Sequence, residues 1–153
     1  MPDASNYPEM TDELPRGVRN NNPGNIDRDG TPWEGLSPQQ TDPRFCIFSS
    51  AEYGIRALAL TLETYEDVHK LTTLRGWIDR WAPPVENDSA AYLVDVVARS
   101  GVGSDTPISI HDLSLAARVI SAIIAHENSN YAYAPAILNS GISLADLGTP
   151  SLA

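Results

Sequence analysis

One cysteine, Cys46, stands in 153 residues, so no intramolecular disulfide can form and cysteine usage assigns no compartment. Within the run RFCIF it reads as a small buried hydrophobe rather than a nucleophile. No apolar run approaches the ~20 residues of a transmembrane helix, which argues against membrane insertion. The first residues, MPDASNYPEMTDELPRG, lack both a basic start and an apolar stretch, so they do not read as a signal peptide. Basic residues are scarce: 10 Lys+Arg against 20 Asp+Glu give a formal charge of -10. That excludes nucleic acid as the natural partner, because phosphate recognition needs a basic face. Metal and nucleotide signatures are missing too. His69, His111 and His126 are scattered, Asp27-Arg28-Asp29-Gly30 is too short for a calcium loop, and there is no nucleophile elbow or phosphate-binding glycine loop. No cofactor is expected.

What is present suits one folded domain with a single core, since 42% of residues are hydrophobic and only 20% charged. The expected layout is a flexible arm over 1–15, a domain over 16–147 and a short tail over 148–153. The segment RGVRNNNPGNIDRDGTPWEG is crowded with Asn, Gly and Pro. Asn and Gly tolerate left-handed backbone, so it reads as ordered loop, with a short hairpin around Arg28 to Thr31. RFCIF, 44–48, is the best strand candidate.

From Ser50 the period becomes helical: Ile55, Leu58, Leu62 and Tyr65 fall on one face of AEYGIRALALTLETYEDVHK. A shorter helix begins at Thr72 or Thr73 and runs through LRGWIDRW to the Ala82-Pro83-Pro84 break. Asp88 or Ser89 caps SAAYLVDVVARS, which ends at Gly101, and Asp112 caps LSLAARVISAIIAHE. Two short helices, over 134–140 and 143–147, close the chain. The expected class is α+β, mostly helical, with a small β or loop element near the N-terminus and lysozyme-like proportions.

Within SAIIAHENSNYAY, 121–133, Glu127 falls on the apolar face built by Leu113, Ala116, Val119, Ile120, Ile123 and Ile124. Burial, the negative end of the helix dipole and neighbours without hydrogen bonds would all raise its pKa. Such a carboxyl holds a proton near neutral pH and can pass it to a leaving group. The plain alternative is a frayed turn that points Glu127 to water or pairs it with Arg80 or Arg99. Asn128, Ser129, Asn130, Tyr131 and Tyr133 follow, and Asn amides with Tyr rings suit the hydroxyl edges and C–H faces of sugars.

Other candidates carry two readings each. Asn20, Asn21, Asn22 and Asn25 either line a glycan cleft or set the turn around Pro23-Gly24; Asn22 or Asn25 is expected at the site. Trp33 either stacks on a sugar or plugs a core. Trp77 and Trp81, four apart on one helix, read as core. Tyr92 follows the WAPPVEN loop closely enough to sit at a cleft edge. Glu86, in that loop, is the rival acid, with loop bracing as its ordinary role. Glu52 suits a first helical turn, and Glu63, Glu66 and Asp67 read as a solvated face.

AIIAHENS resembles the end of the catalytic helix of lysozyme-like peptidoglycan hydrolases, which includes lytic transglycosylases and flagellar-type glucosaminidases. There a helix of the form A-I-x-x-x-E-S delivers the general-acid glutamate. RNNNPGNIDRDGTPWEG, RFCIFSSAEYGIRALALTLETY and RWAPPVENDSAAYLVDVVARSGV resemble small bacteriophage proteins described as virion structural proteins or endolysins. The NNNPGNI loop and Phe-x-x-x-x-x-Gly-Ile-Arg-Ala also look like the glucosaminidases' Asn-rich loop, strand and helix. In those enzymes the glutamate helix precedes the loop, whereas here it comes about a hundred residues later. A circular permutation would reconcile the two orders, provided Glu127 lies within one cleft width, ~10 Å, of Asn22–Ile26.

The resemblance implies an enzyme that cleaves the β-1,4 bond between N-acetylmuramic acid and N-acetylglucosamine. Glu127 would be the catalytic acid, and Asn22, Asn25, Trp33, Tyr92, Asn128 and Tyr131 would bind substrate. The partners would be bacterial peptidoglycan and other virion proteins, and the chain a monomer. It would act from the virion, or from the host cytoplasm after release towards the cell wall. The alternative from another class is a non-catalytic virion or glycan-binding protein of the same fold.

Overall fold

The computed structural model describes residues 13–85 and 87–148. The expected N-terminal arm and C-terminal tail lie almost wholly outside the described residues, as does Glu86. Six helices follow in order: α1 (Arg16–Arg19), α2 (Ala51–Asp67), α3 (Leu74–Trp81), α4 (Ser89–Ser100), α5 (Leu113–Glu127) and α6 (Pro135–Ala145). The protein is mostly helical.

Local chemistry sets most of these boundaries. Thr73, Asp88 and Asp112 each turn a side-chain oxygen onto a first-turn N–H, of Gly76, Ala91 and Leu115, and so cap α3, α4 and α5. Gly101 ends α4 in left-handed backbone, φ 72°. The periodic face of α2 is buried as expected, with Ile55, Leu58 and Leu62 fully enclosed. The apolar face of α5 is also buried, from Leu115 to Ile124.

Three expectations change. Arg16–Arg19, read as loop, forms one helical turn, because a four-residue helix has no period to display. The strand over 44–48 reduces to two isolated antiparallel bridges, Asp27 with Phe45 and Leu36 with Phe48. The Asn-, Gly- and Pro-rich partner segment turns too often to hold a ladder, and no hairpin strands form around Arg28 to Thr31 among the described residues. The two short terminal helices are one, α6, running straight through Gly141. A Cβ at 141 would lie 2.6 Å from the Cβ of Ile55, so this glycine lets α6 lie close against α2 instead of breaking the helix.

The main core joins all five longer helices around Leu62, Trp77, Ile78, Val96, Ile120 and Ile123. A second, smaller cluster lies under the loop segment: Cys46, Phe48 and Ala57, covered by Ile26, Trp33, Leu36 and Tyr53. Cys46 is thus the small hydrophobe its context suggested, 2% exposed, and burial pushes its thiol pKa up. Between the loop segment and the helices runs a cleft.

Candidate active site

The cleft has a volume of about 330 Å³, in the range of small-molecule sites. Glu127 lies in its wall, opposite the turn Gly24-Asn25-Ile26, with Thr61 and Tyr65 of α2 and Trp81 of α3 nearby. The two segments come from opposite ends of the chain, yet Asn25 Nδ2 donates to Glu127 Oε1 at 2.9 Å. Glu127 is therefore well inside the ~10 Å expected of the Asn-rich loop.

The other carboxylate oxygen, Oε2, accepts from the Tyr92 hydroxyl at 2.7 Å, and that hydroxyl accepts from Trp81 Nε1 at 3.1 Å. The expectation of a carboxyl among neighbours without hydrogen bonds is thus corrected: each oxygen has one neutral donor. The period of α5 is right but incomplete, because both donors belong to other parts of the chain. Pairing with Arg80 or Arg99 does not occur. Arg99 meets Asp95 at 2.8 Å and also bonds Asn130, and none of the ion pairs among the described residues involves Glu127.

Tyr92 is 5% exposed and so stands behind Glu127 rather than at a cleft edge. Burial first, and then the adjacent carboxylate, push its phenol pKa far up. It remains an O–H donor across the physiological range. His126 packs on its ring with centroids 3.8 Å apart, and His126 Nδ1 lies 2.7 Å from Asp95 Oδ2.

The Asn-rich loop is both site and brace, divided residue by residue. Asn21 and Asn25 adopt left-handed backbone, φ 52° and 50°, as their residue type suggested. Asn22 is fully buried. Its Oδ1 accepts from Ile26 N at 2.9 Å, and its Nδ2 donates to the carbonyls of Ile26 at 3.0 Å and Cys46 at 2.9 Å. Asn22 therefore shapes the loop and does not face the cleft. Asn128 is 1% exposed and gives its amide to Pro23 O at 2.7 Å and Ile124 O at 2.9 Å, tying the end of α5 to the turn.

The approach is tight at Gly17. A Cβ there would lie 2.5 Å from Asn128 Oδ1 and 2.8 Å from Asn25 Oδ1. Only a bare Cα leaves room for both amide oxygens, and Asn25 then aims its NH₂ group at Glu127.

Trp33 belongs to the small cluster and Tyr131 packs edge-on against Tyr133 with centroids 5.0 Å apart; neither lines the cleft. Of the residues expected at a site, the structure therefore gathers Glu127, Asn25 and Tyr92, with Asn22 and Asn128 as braces. Sequence reasoning missed Trp81, Thr61, Tyr65 and Arg44 along the cleft. Trp77 is core, 0% exposed, but Trp81 sits one turn later at the end of α3, where the Pro-rich break opens the helix to the cleft. That break was the available signal.

Away from the cleft, Glu63, Glu66 and Asp67 are not a solvated face but surround His111. Its Nε2 lies 2.9 Å from Asp67 Oδ1 and its Nδ1 2.9 Å from the Leu147 carbonyl. Glu66 accepts from Ser109 Oγ at 2.8 Å and Ile110 N at 2.7 Å. Glu63, Asp67 and His111 offer ligand atoms within 4.8 Å of one another, so this group has the donor types to hold a cation. Both nitrogens of His111 meet oxygen acceptors, an arrangement that favours the protonated ring.

No family model matches the chain. A protein named "Protein P5", from Pseudoalteromonas phage PM2, is 38% identical over 130 residues, covering 83% of this chain and 79% of that protein.

Proposed function

The chain belongs to the family of protein P5 of Pseudoalteromonas phage PM2, and from that premise and the cleft we propose a phage peptidoglycan-cleaving enzyme of lysozyme-like fold. Its substrate is the β-1,4 bond between N-acetylmuramic acid and N-acetylglucosamine. The observation that carries this reading is Glu127, presented to a polar cleft with both oxygens held by neutral donors, Asn25 and Tyr92. Paired charges would lock a carboxylate in its ionised form. Neutral donors fix the direction of the carboxyl group towards the cleft without an ionic partner.

In this mechanism the protonated Glu127 gives its proton to the glycosidic oxygen as the bond to the anomeric carbon breaks. The resulting carboxylate then removes the proton of the muramyl 6-hydroxyl, which closes onto the anomeric carbon to give the anhydro product. Water in place of that hydroxyl gives hydrolysis. A two-carboxylate glycosidase needs a partner for Glu127. Asp27 is the other carboxylate lining the cleft among the described residues, and Arg44 Nε engages it at 2.8 Å. That engagement favours the one-glutamate route. The chain order supports a permuted arrangement, because Glu127 and Asn25 stand 102 residues apart in sequence.

The test is digestion of purified sacculi followed by mass spectrometry. Anhydromuramyl ends support the one-glutamate mechanism, and new reducing ends support hydrolysis. Binding to sacculi without either product would reject cleavage in favour of a glycan-binding virion protein.

A further inference from the structure

The geometry points to Arg80 as an anion-binding subsite beside the cleft, which receives a carboxylate of the peptide stem carried by the glycan. This inference rests on the cleavage reading and names the substrate form that it prefers: peptide-substituted rather than bare strands.

The argument begins with how the chain spends its few cations. Arg16, Arg19, Arg44, Arg56, Arg75 and Arg99 each meet a carboxylate. Arg28 and Arg118 donate to the carbonyls of Gln40 and Ser100. Arg80 does neither among the described residues; its guanidinium lies over the Tyr65 ring, 5.5 Å from the centroid.

Tyr65 itself lines the cleft, and so does Trp81, the next residue along α3. The ring thus holds a flat, exposed guanidinium next to a cleft-lining side chain, with its N–H groups unspent on protein acceptors among the described residues. Such a fork matches a carboxylate bidentately, and stacking lowers the cost of ordering it.

The background sharpens the point. A chain of charge -10 repels acidic ligands at long range. An acidic substituent is therefore accepted only where a local cation is directed at it. The guanidinium in the cleft wall, Arg44, is already paired with Asp27. Peptide stems carry free carboxylates out beyond the sugar chain, whereas amidase-stripped strands keep only the muramyl lactyl carboxylate, held directly against the sugar ring and out of reach of a cation beside the cleft.

The experiment compares initial rates on two substrates, glycan strands bearing tetrapeptide stems and the same strands stripped by an amidase. Arg80→Gln should slow cleavage of the stem-bearing strand by about tenfold, the scale of one charge-assisted hydrogen-bonded pair, and leave the stripped strand unchanged. Arg44→Gln should show no such selectivity. Equal rates for wild type and Arg80→Gln, equal losses on both strands, or a selective loss in Arg44→Gln instead would each overturn the assignment.

Wild-type protein that cleaves neither strand would defeat the cleavage reading, and the subsite is then judged by calorimetry with stem-bearing and stripped tetrasaccharides. Binding of the stem-bearing form about tenfold weaker in Arg80→Gln upholds it. Unchanged affinity overturns it.

Discussion

Two helices end in carboxylates that the helix dipole disfavours, and the protein treats them in opposite ways. At the end of α5, Glu127 is held by an amide and a phenol and faces a cleft. At the end of α2, Glu63, Glu66 and Asp67 gather around His111, which bonds to Asp67 and to the Leu147 carbonyl. The first arrangement orients a carboxyl group without an ionic partner. The second gathers carboxyl groups around an imidazole and fastens the C-terminal segment to α2. The contrast separates a carboxylate presented to a cleft from carboxylates used for structure, although both sit near the C-terminal ends of amphipathic helices.

The comparison breaks most severely at Glu127. Glu127→Gln should lower release of muropeptides from sacculi by about 10²–10⁴-fold with unchanged circular dichroism. Activity near wild type would place the acid elsewhere. Tyr92→Phe removes one of the two donors and strands the Trp81 N–H. A rate loss of roughly 10–100-fold is expected, with about 1–2 kcal/mol lost in urea unfolding. A Phe variant as active as wild type would show that Asn25 alone suffices.

Gly17→Ala tests the backbone cradle beneath Asn25. Forcing a methyl against two amide oxygens should cost about 1–3 kcal/mol in the same unfolding assay. The variant should also slow cleavage, because Asn25 must turn or retreat from Glu127.

The α2 cluster makes a smaller, pH-dependent contribution. Burial, the largest single effect, pulls the pKa of His111 down. The hydrogen bonds to Asp67 and the Leu147 carbonyl, with the charges of Asp67 and Glu66, outweigh it and leave the ring above its ordinary value. A histidine raised in the folded state stabilises fully below its unfolded value, and that stability is lost as pH rises through the folded value. Glu63 is raised as well, by burial and then by Asp67, and it acts in the same direction at more acidic pH. Wild-type melting temperature should therefore fall as pH rises through the neutral range, and His111→Gln should flatten that slope. An identical slope in the variant would show that His111 is not the titrating group. The smallest effect is expected at Trp33, where Phe should leave cleavage within about twofold, because the ring packs on the small cluster away from the cleft.

The helices were legible for identifiable reasons. Thr73, Asp88 and Asp112 are caps whose chemistry acts within three residues, and Ile55, Leu58 and Leu62 repeat on one turn-to-turn face. Glu127 was legible too, as a carboxylate out of place on an apolar face. Asn22 and Asn128 stand in the expected neighbourhood, but their buried amides are bonded to backbone. An Asn that braces a loop and one that faces a ligand look the same until the partners of the amide are known. Trp33 and Tyr131 lie outside the cleft lining for a similar reason: aromatics satisfy a core as readily as a cleft. His111 could not be placed with Asp67 from sequence, since 44 residues separate them.

The sequence by itself determined where helices start and stop, which faces are apolar, and that a glutamate interrupts one of them. These are consequences of capping, periodicity and residue type, all of which act over a few residues. Only the tertiary structure decided that Asn25 and Tyr92 meet that glutamate and that Trp81 turns to the cleft while Trp77 turns to the core. It also decided that acidic residues at the end of α2 enclose a histidine. Each of these depends on packing between segments distant in the chain, where Gly17, Gly141 and the buried amides set approaches of a few ångströms that no local pattern encodes.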